Sequence, residues 1–300
     1  MITTPKHRVY AALATAFNEN NIVDVGAMSR HAMWLLDEGC DGLVVFGSTG
    51  EAVSLTMTER KNTLKALIDA GVPAGLLIAG TGCCAVADTA ELSSHAHALG
   101  CYGVLIMPPF LFKGLTDEGI QETFRQIITN SSVDLRVYLY HFPLLSGVKF
   151  TSSLVNKLMA EFPDNIKGYK DSGGNFDNTR DIIENCPGLE VYSGSELPLS
   201  KLLQLGGAGC ISATANTQPR IIKSVIEAWQ AQDRPAQEAA QNLASANRLV
   251  MQDYTPMAAA VKTTIAAISG NSLWQNIRPP LVGLSQADEQ SLLNRLSLGG

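Results

Sequence analysis

Short apolar runs alternate with longer amphipathic stretches over roughly the first 215 residues of the chain. Residues 9–17, Val-Tyr-Ala-Ala-Leu-Ala-Thr-Ala-Phe, are apolar without a break and end at an Asn-rich turn, as a strand buried on both faces would. Asp24 then offers an N-cap for a helix running to about residue 38, with Met28, Ala32, Leu35 and Leu36 on one side. The same reading predicts strands over 42–47, 75–80, 103–107, 135–141, 166–172, 189–193 and 209–213. Helices are predicted between them over 58–67, 88–99, 116–128, 152–161, 178–185 and 196–205. Eight strands alternating with helices suit an α/β fold of the closed (β/α)8 TIM-barrel type. A doubly wound open sheet is the competitor, but eight consecutive βα units favour closure.

Beyond residue 217 the pattern is helical only, over 221–232, 236–251, 256–268 and 286–296. No linker rich in Pro, Gly or Ser separates the two parts. The expected organisation is a catalytic barrel over 1–216 and a helical extension over 217–300 packed against it as one unit.

Composition narrows the function classes. Hydrophobic residues make up 46% of the 300 residues and charged ones 17%, enough apolar mass for a substantial core. The net charge of −6 and the absence of any Lys/Arg-rich block argue against nucleic-acid binding. The six cysteines, Cys40, Cys83, Cys84, Cys101, Cys186 and Cys210, show no C-x-x-C pair and no His/Cys ligand spacing. No run reaches membrane-spanning length, and the N-terminus has no apolar core of a signal peptide. A cytoplasmic, reducing setting is expected.

Chemistry in such a barrel belongs at the C-terminal strand ends, where the βα loops converge. The run Ile166-Lys-Gly-Tyr-Lys-Asp-Ser172 carries Lys170 to one such end. Lysine is depleted in strands, so Lys170 is either a stem that reaches solvent or a functional amine of the kind that forms a Schiff base with a ketone. On this run alone the first reading is the commoner. Alternation puts Tyr138 and Tyr140 on one face of the fifth strand and Gly168 and Lys170 on one face of the sixth. If both faces point inward, phenol and amine meet above the space left by Gly168. Gly47-Ser-Thr-Gly-Glu51, at the end of the second strand, offers Ser48, Thr49 and free backbone N–H groups for a carboxylate or phosphate, although an ordinary glycine-bounded turn is the commoner outcome. His95 and His97 splay apart on a helix and make a poor metal pair; only His141 lies at a strand end.

Taken together, Gly47-Ser-Thr-Gly-Glu51, Tyr140-x-x-Pro143, Gly168-x-Lys170-Asp-Ser, Gly194-x-Glu196 and Ile211-Ser-Ala-Thr-Ala-Asn216 resemble the dihydrodipicolinate synthase and N-acetylneuraminate lyase family of pyruvate-dependent class I aldolases, across nearly the whole chain. The resemblance implies roles. Lys170 would form an imine with pyruvate or another 2-oxo acid. Tyr140, joined by Ser48, would relay protons. Ser48 and Thr49 would bind the substrate carboxylate, and Ile211 would line the pocket. No cofactor or metal is implied, the second substrate is a small aldehyde, and the assembly is a homotetramer or homodimer.

Three positions depart from the synthase pattern. Leu145 stands where those enzymes carry an arginine for the semialdehyde carboxylate, and Leu111 where they carry a tyrosine lent by a neighbouring subunit. His141 replaces an asparagine. Losing a buried charge-assisted contact costs roughly 2–5 kcal/mol, so the resemblance leans toward sugar-acid lyases and 2-keto-3-deoxy-sugar-acid aldolases, with His141, Leu145, Leu111 and the acidic Glu196 placed around the aldehyde. Dihydrodipicolinate (4-hydroxy-tetrahydrodipicolinate) synthesis, a 2-keto-3-deoxy sugar acid dehydratase, and a non-catalytic 2-oxo acid sensor remain the alternatives.

Overall fold

A computed structural model describes residues 7–298. Eight parallel strands close in sequence order: β1 (Arg8–Ala12), β2 (Gly42–Val45), β3 (Leu77–Gly80), β4 (Gly103–Ile106), β5 (Val137–His141), β6 (Ile166–Asp171), β7 (Glu190–Ser193) and β8 (Gly209–Ser212), with β8 pairing back onto β1. The fold is the (β/α)8 TIM barrel that the alternation predicts. Each strand is hidden on both sides, which is why the strands read as continuous apolar runs.

The helices of the barrel wall are α1 (Val25–Asp37), α2 (Met57–Asp69), α3 (Val86–Ala98), α4 (Asp117–Thr129), α5 (Pro143–Ser146), α6 (Ser152–Glu161), α7 (Phe176–Asn185), α8 (Leu199–Gln204) and α9 (Pro219–Gln230). Capping sets several starts. The Asp24 carboxylate accepts from Ala27 N–H at 2.8 Å, and Thr56 forms a reciprocal capping box with Glu59. α5 is a single turn after β5 that periodicity could not announce; a proline opens it. α9 follows β8 as the eighth wall helix, its Lys223 paired with Asp41 at 2.7 Å beneath the β1–β2 seam. The boundary expected at 216 thus falls between β8 and its own helix. Three helices complete the chain: α10 (Arg234–Gln252), α11 (Met257–Ser269) and α12 (Gln286–Arg295).

Several expected boundaries move, two of them for a visible reason. The first strand leaves the ladder at Ala12 rather than Phe17, because β2 ends at Val45 and Phe46 turns to φ 57°. Beyond that point Ala14 N–H is satisfied by the Asn216 side chain at 3.1 Å instead of by a strand. The helix expected from residue 196 begins at Leu199, since Glu196 is drawn into the interior.

Parity divides the core in two. Tyr10, Ala12, Val44, Ile78, Leu105, Tyr138, Tyr140, Tyr192 and Ile211 fill the barrel, while the intervening residues pack outward on the helices. Near the floor, Tyr138 and Tyr192 both donate to Glu190, at 2.9 and 3.1 Å. The Tyr138 ring occupies the space that a side chain at position 168 would need: a Cβ on Gly168 would lie 2.1 Å from Tyr138 Cδ1. Gly168→Ala is therefore expected to destabilise the protein by about 1–3 kcal/mol, measured by urea unfolding.

Outside the barrel, His31 on α1 stacks on Trp34 (5.5 Å, 21°) and meets Trp274 edge-on at 5.0 Å. Burial lowers its pKa to about 4. Between pH 6.5 and 4 the unfolded chain takes up a proton that the folded one refuses, so stability falls as the pH drops through that window. The share from His31 is about 1.4 kcal/mol per pH unit, about 3 kcal/mol in all. Urea unfolding at pH 7, 6 and 5 should show a correspondingly shallower decline for His31→Phe.

Candidate active site

The mouth of the barrel gathers residues from β2, β5, β6 and β8. Tyr140 and Lys170 are direct register partners on β5 and β6, and both point inward. Both are nearly sealed, at 4% and 3% exposure. The Lys170 Nζ lies 4.3 Å from the centre of the Tyr140 ring and has no carboxylate partner among the described residues. The Tyr140 hydroxyl sits 3.1 Å from Ser48 Oγ, so phenol and serine can pass a proton between them. Ser48 is open to solvent, Thr49 is buried beneath it, and Ile211 is fully buried in the interior layer that holds Tyr140. The structure therefore brings Lys170, Tyr140 and Ser48 together at the strand ends, with Thr49 next to Ser48 in the same turn and Ile211 in the layer that holds Tyr140.

The loop after β2 owes its shape to two left-handed residues, Phe46 (φ 57°) and Glu51 (φ 53°), that bracket Gly47–Gly50. Thr15 Oγ1 donates to Gly50 O at 2.6 Å, and Gly50 lies too close to Leu13 O for a Cβ. After β6, Asp171 takes over: its carboxylate accepts from Gly173 N–H (2.7 Å), Asn178 Nδ2 (3.1 Å) and Thr179 Oγ1 (3.0 Å). These bonds lock the turn behind Lys170 onto the start of α7.

Four other expected site residues lie elsewhere. His141 has the opposite parity to Tyr140 and faces the helices. Its ring stacks on Tyr169 at 5.7 Å, Nδ1 accepts from Phe150 N–H at 3.2 Å, and burial lowers its pKa. Glu196 is completely buried, and its carboxylate accepts from Ser212 Oγ (2.6 Å), Thr214 Oγ1 and Gln218 Nε2 (2.9 Å), leaving no face toward a substrate. Leu111 and Leu145 are 69% and 44% exposed on the rim, beside exposed Phe112 and Leu144. Lys113 ties this rim together, with Nζ donating to Phe110 O (2.7 Å) and Leu145 O (3.2 Å).

Comparison with known proteins gives the family. Residues 5–298 match the model of the dihydrodipicolinate synthetase family. The chain belongs to that family. It is 32% identical over 286 residues to an uncharacterized DapA-like lyase of Chloroflexus aurantiacus, covering 95% of this chain and 94% of the relative. It superposes on the crystal structure of dihydrodipicolinate synthase from Agrobacterium tumefaciens with a TM-score of 0.89 at 30% identity, over 97% and 98% of the two chains. YagE, a member of the dihydrodipicolinic acid synthase family from E. coli K12 solved in complex with pyruvate, also gives 0.89, at 27% identity over 97% and 99%. The chain is thus a dihydrodipicolinate-synthetase-family lyase. Among the described residues no helix is long and apolar enough to cross a membrane, and no group of three or more His, Cys, Asp or Glu is placed to hold a metal ion.

Two features escaped the sequence reading. One is the anchoring of Lys170's turn by Asp171, for which adjacency to the lysine was the only signal. The other is Glu51, whose side chain is wholly buried against Lys262 of α11 at 2.7 Å. A lone lysine in the apolar helix Met-Ala-Ala-Ala-Val-Lys-Thr-Thr-Ile was the available clue. A cavity of about 480 Å³ between α1 and α11, lined by His31, Trp34 and Trp274, contains none of the mouth residues. Because Glu196 satisfies three buried donors, Glu196→Ala is expected to cost about 3 kcal/mol or more, read as a shift in the urea midpoint.

Proposed function

We propose that the protein is a Schiff-base lyase or aldolase that joins pyruvate, or a similar 2-oxo acid, to a small aldehyde, or runs the reverse cleavage. The observation that carries this reading is the contrast between two equally hidden lysines. Lys262 is tied to a carboxylate at 2.7 Å. Lys170 is left without one, against an aromatic face at the barrel mouth. A buried amine that no carboxylate pairs is costly to keep unless chemistry requires it.

In this reading the Lys170 amine adds to the C2 carbonyl of the 2-oxo acid and water leaves, giving a protonated imine that serves as the electron sink. Loss of a C3 proton yields an enamine, which attacks the aldehyde carbon; hydrolysis then frees the product and restores the amine. Tyr140, 3.1 Å from Ser48 Oγ, relays the protons. Ser48, Thr49 and the backbone of their loop hold the carboxylate. The pyruvate in the YagE complex supports the choice of oxo acid. Leucine at 111 and 145, where the synthase pattern has a tyrosine and an arginine, favours an aldehyde that lacks a carboxylate at that end. The same exposed apolar rim supports contact with a second copy of the chain, in a homodimer or homotetramer.

Intact-protein mass spectrometry after incubation with pyruvate and borohydride tests the chemistry. A reduced pyruvyl adduct is expected on the wild type and none on Lys170→Ala. An adduct that persists in the variant would remove Lys170 from the mechanism, and none on the wild type would favour the sensor reading. Tyr140→Phe should still trap pyruvate while slowing turnover about 10²–10⁴-fold; a screen of aldehydes by product analysis measures this and separates carbon–carbon bond formation from water loss.

A further inference from the structure

The loop assigned above to the substrate carboxylate closes on itself through Glu51 N–H to Ser48 O (3.2 Å), but its last side chain is held from outside. Its last residue, Glu51, sits in a left-handed conformation (φ 53°) that a non-glycine residue keeps only when its surroundings enforce it. What surrounds it comes from the far end of the chain. One carboxylate oxygen accepts from Lys262 Nζ at 2.7 Å, and the other from the Arg278 backbone N–H at 3.0 Å.

Those two residues form a strap. Lys262 and the Arg278 guanidinium each lie 4.5 Å from the Phe17 ring centre, beneath the first barrel loop. Asn276 Nδ2 donates to Phe17 O at 3.0 Å. The Arg278 side chain continues outward, donating to Ser54 O (2.9 Å), Asn21 O (2.5 Å) and Glu59 (2.6 Å). That contact holds the Glu59 carboxyl well below its usual range, at about 2. The segment from α11 to Arg278 thus grips the C-terminal end of the residue 47–51 turn at Glu51 and Ser54 and the loop after β1 at Phe17 and Asn21, while Ser48 reaches the Tyr140 hydroxyl.

We infer that Lys262 is a positioning residue for the 2-oxo acid site: through its buried bond to Glu51 it fixes the backbone and hydroxyls of Ser48 and Thr49 against the substrate carboxylate. The inference rests on the Schiff-base reading and assigns the helical extension a part in substrate binding. It separates two effects that a purely structural ion pair would not. Loss of Lys262 loosens the carboxylate cradle, so 2-oxo acid affinity drops. Lys170 and Tyr140, held by β5 and β6, keep their chemistry once the substrate is bound.

The test is the pyruvate concentration giving half-maximal borohydride trapping, together with the trapped fraction at saturation and a thermal melt. Lys262→Met is expected to raise the half-saturating concentration at least tenfold with the saturating adduct unchanged. Glu51→Gln, which keeps the shape and loses the charge, should raise it at least threefold. Lys223→Met serves as the control, because it breaks another ion pair between helix and barrel, with Asp41 at 2.7 Å, away from the mouth. It should lower the melting temperature and leave half-saturation within twofold of wild type. Half-saturation within twofold of wild type in both Lys262→Met and Glu51→Gln would overturn the inference, whatever happens to the melts. If Lys262→Met does not fold, Glu51→Gln decides alone by the same criterion. No adduct on the wild type would instead remove the underlying Schiff-base reading, and this inference with it.

Discussion

A closed ring of eight strands encloses a fixed volume, and every second residue must enter it. Large side chains can therefore point inward only where a neighbour supplies room. Tyr138 has its place because position 168 is glycine. One layer higher on the same two strands, Tyr140 and Lys170 stand side by side on top of that exchange. The amine reaches the mouth at its height and angle because the layer below is filled by a ring from the next strand. Packing at the floor and chemistry at the mouth are consecutive steps of one two-residue repeat.

The same repeat explains what could be read without coordinates and what could not. Strands hidden on both faces announce themselves as unbroken apolar runs, so the barrel and the strand ends that carry the candidate site were legible. The alternation that paired Tyr140 with Lys170 also turns His141 away from the mouth, toward Tyr169 and Phe150. Applied one residue further, it would have removed His141 from the candidates. Glu196 carries no such signal: its three donors are 16 to 22 residues away and come together only after β8 closes the ring. Leu111 lies in a loop and Leu145 in the single turn of α5, both too short for periodicity to read, and the fold leaves both on the rim.

Charge burial sorts the interior lysines by purpose. Lys262 is surrounded by partners, a carboxylate at 2.7 Å and an aromatic face at 4.5 Å, which compensate for its removal from water. Among the described residues Lys170 has the aromatic face and no carboxylate. Two residues with almost identical exposure therefore differ in how completely the fold satisfies them.

The tie between Glu51 and the tail also sets an order of events during synthesis. Domains emerge and begin to organise from the N-terminus, so the second strand and its loop are available long before their partners. Lys262 and the Arg278 amide follow Glu51 by 211 and 227 residues. A nascent chain that has already made all eight strands still lacks both groups that hold the Glu51 carboxylate at the end of the 47–51 turn. The Glu51 end of the mouth is thus completed among the last steps of assembly, when nearly the whole polypeptide has been made.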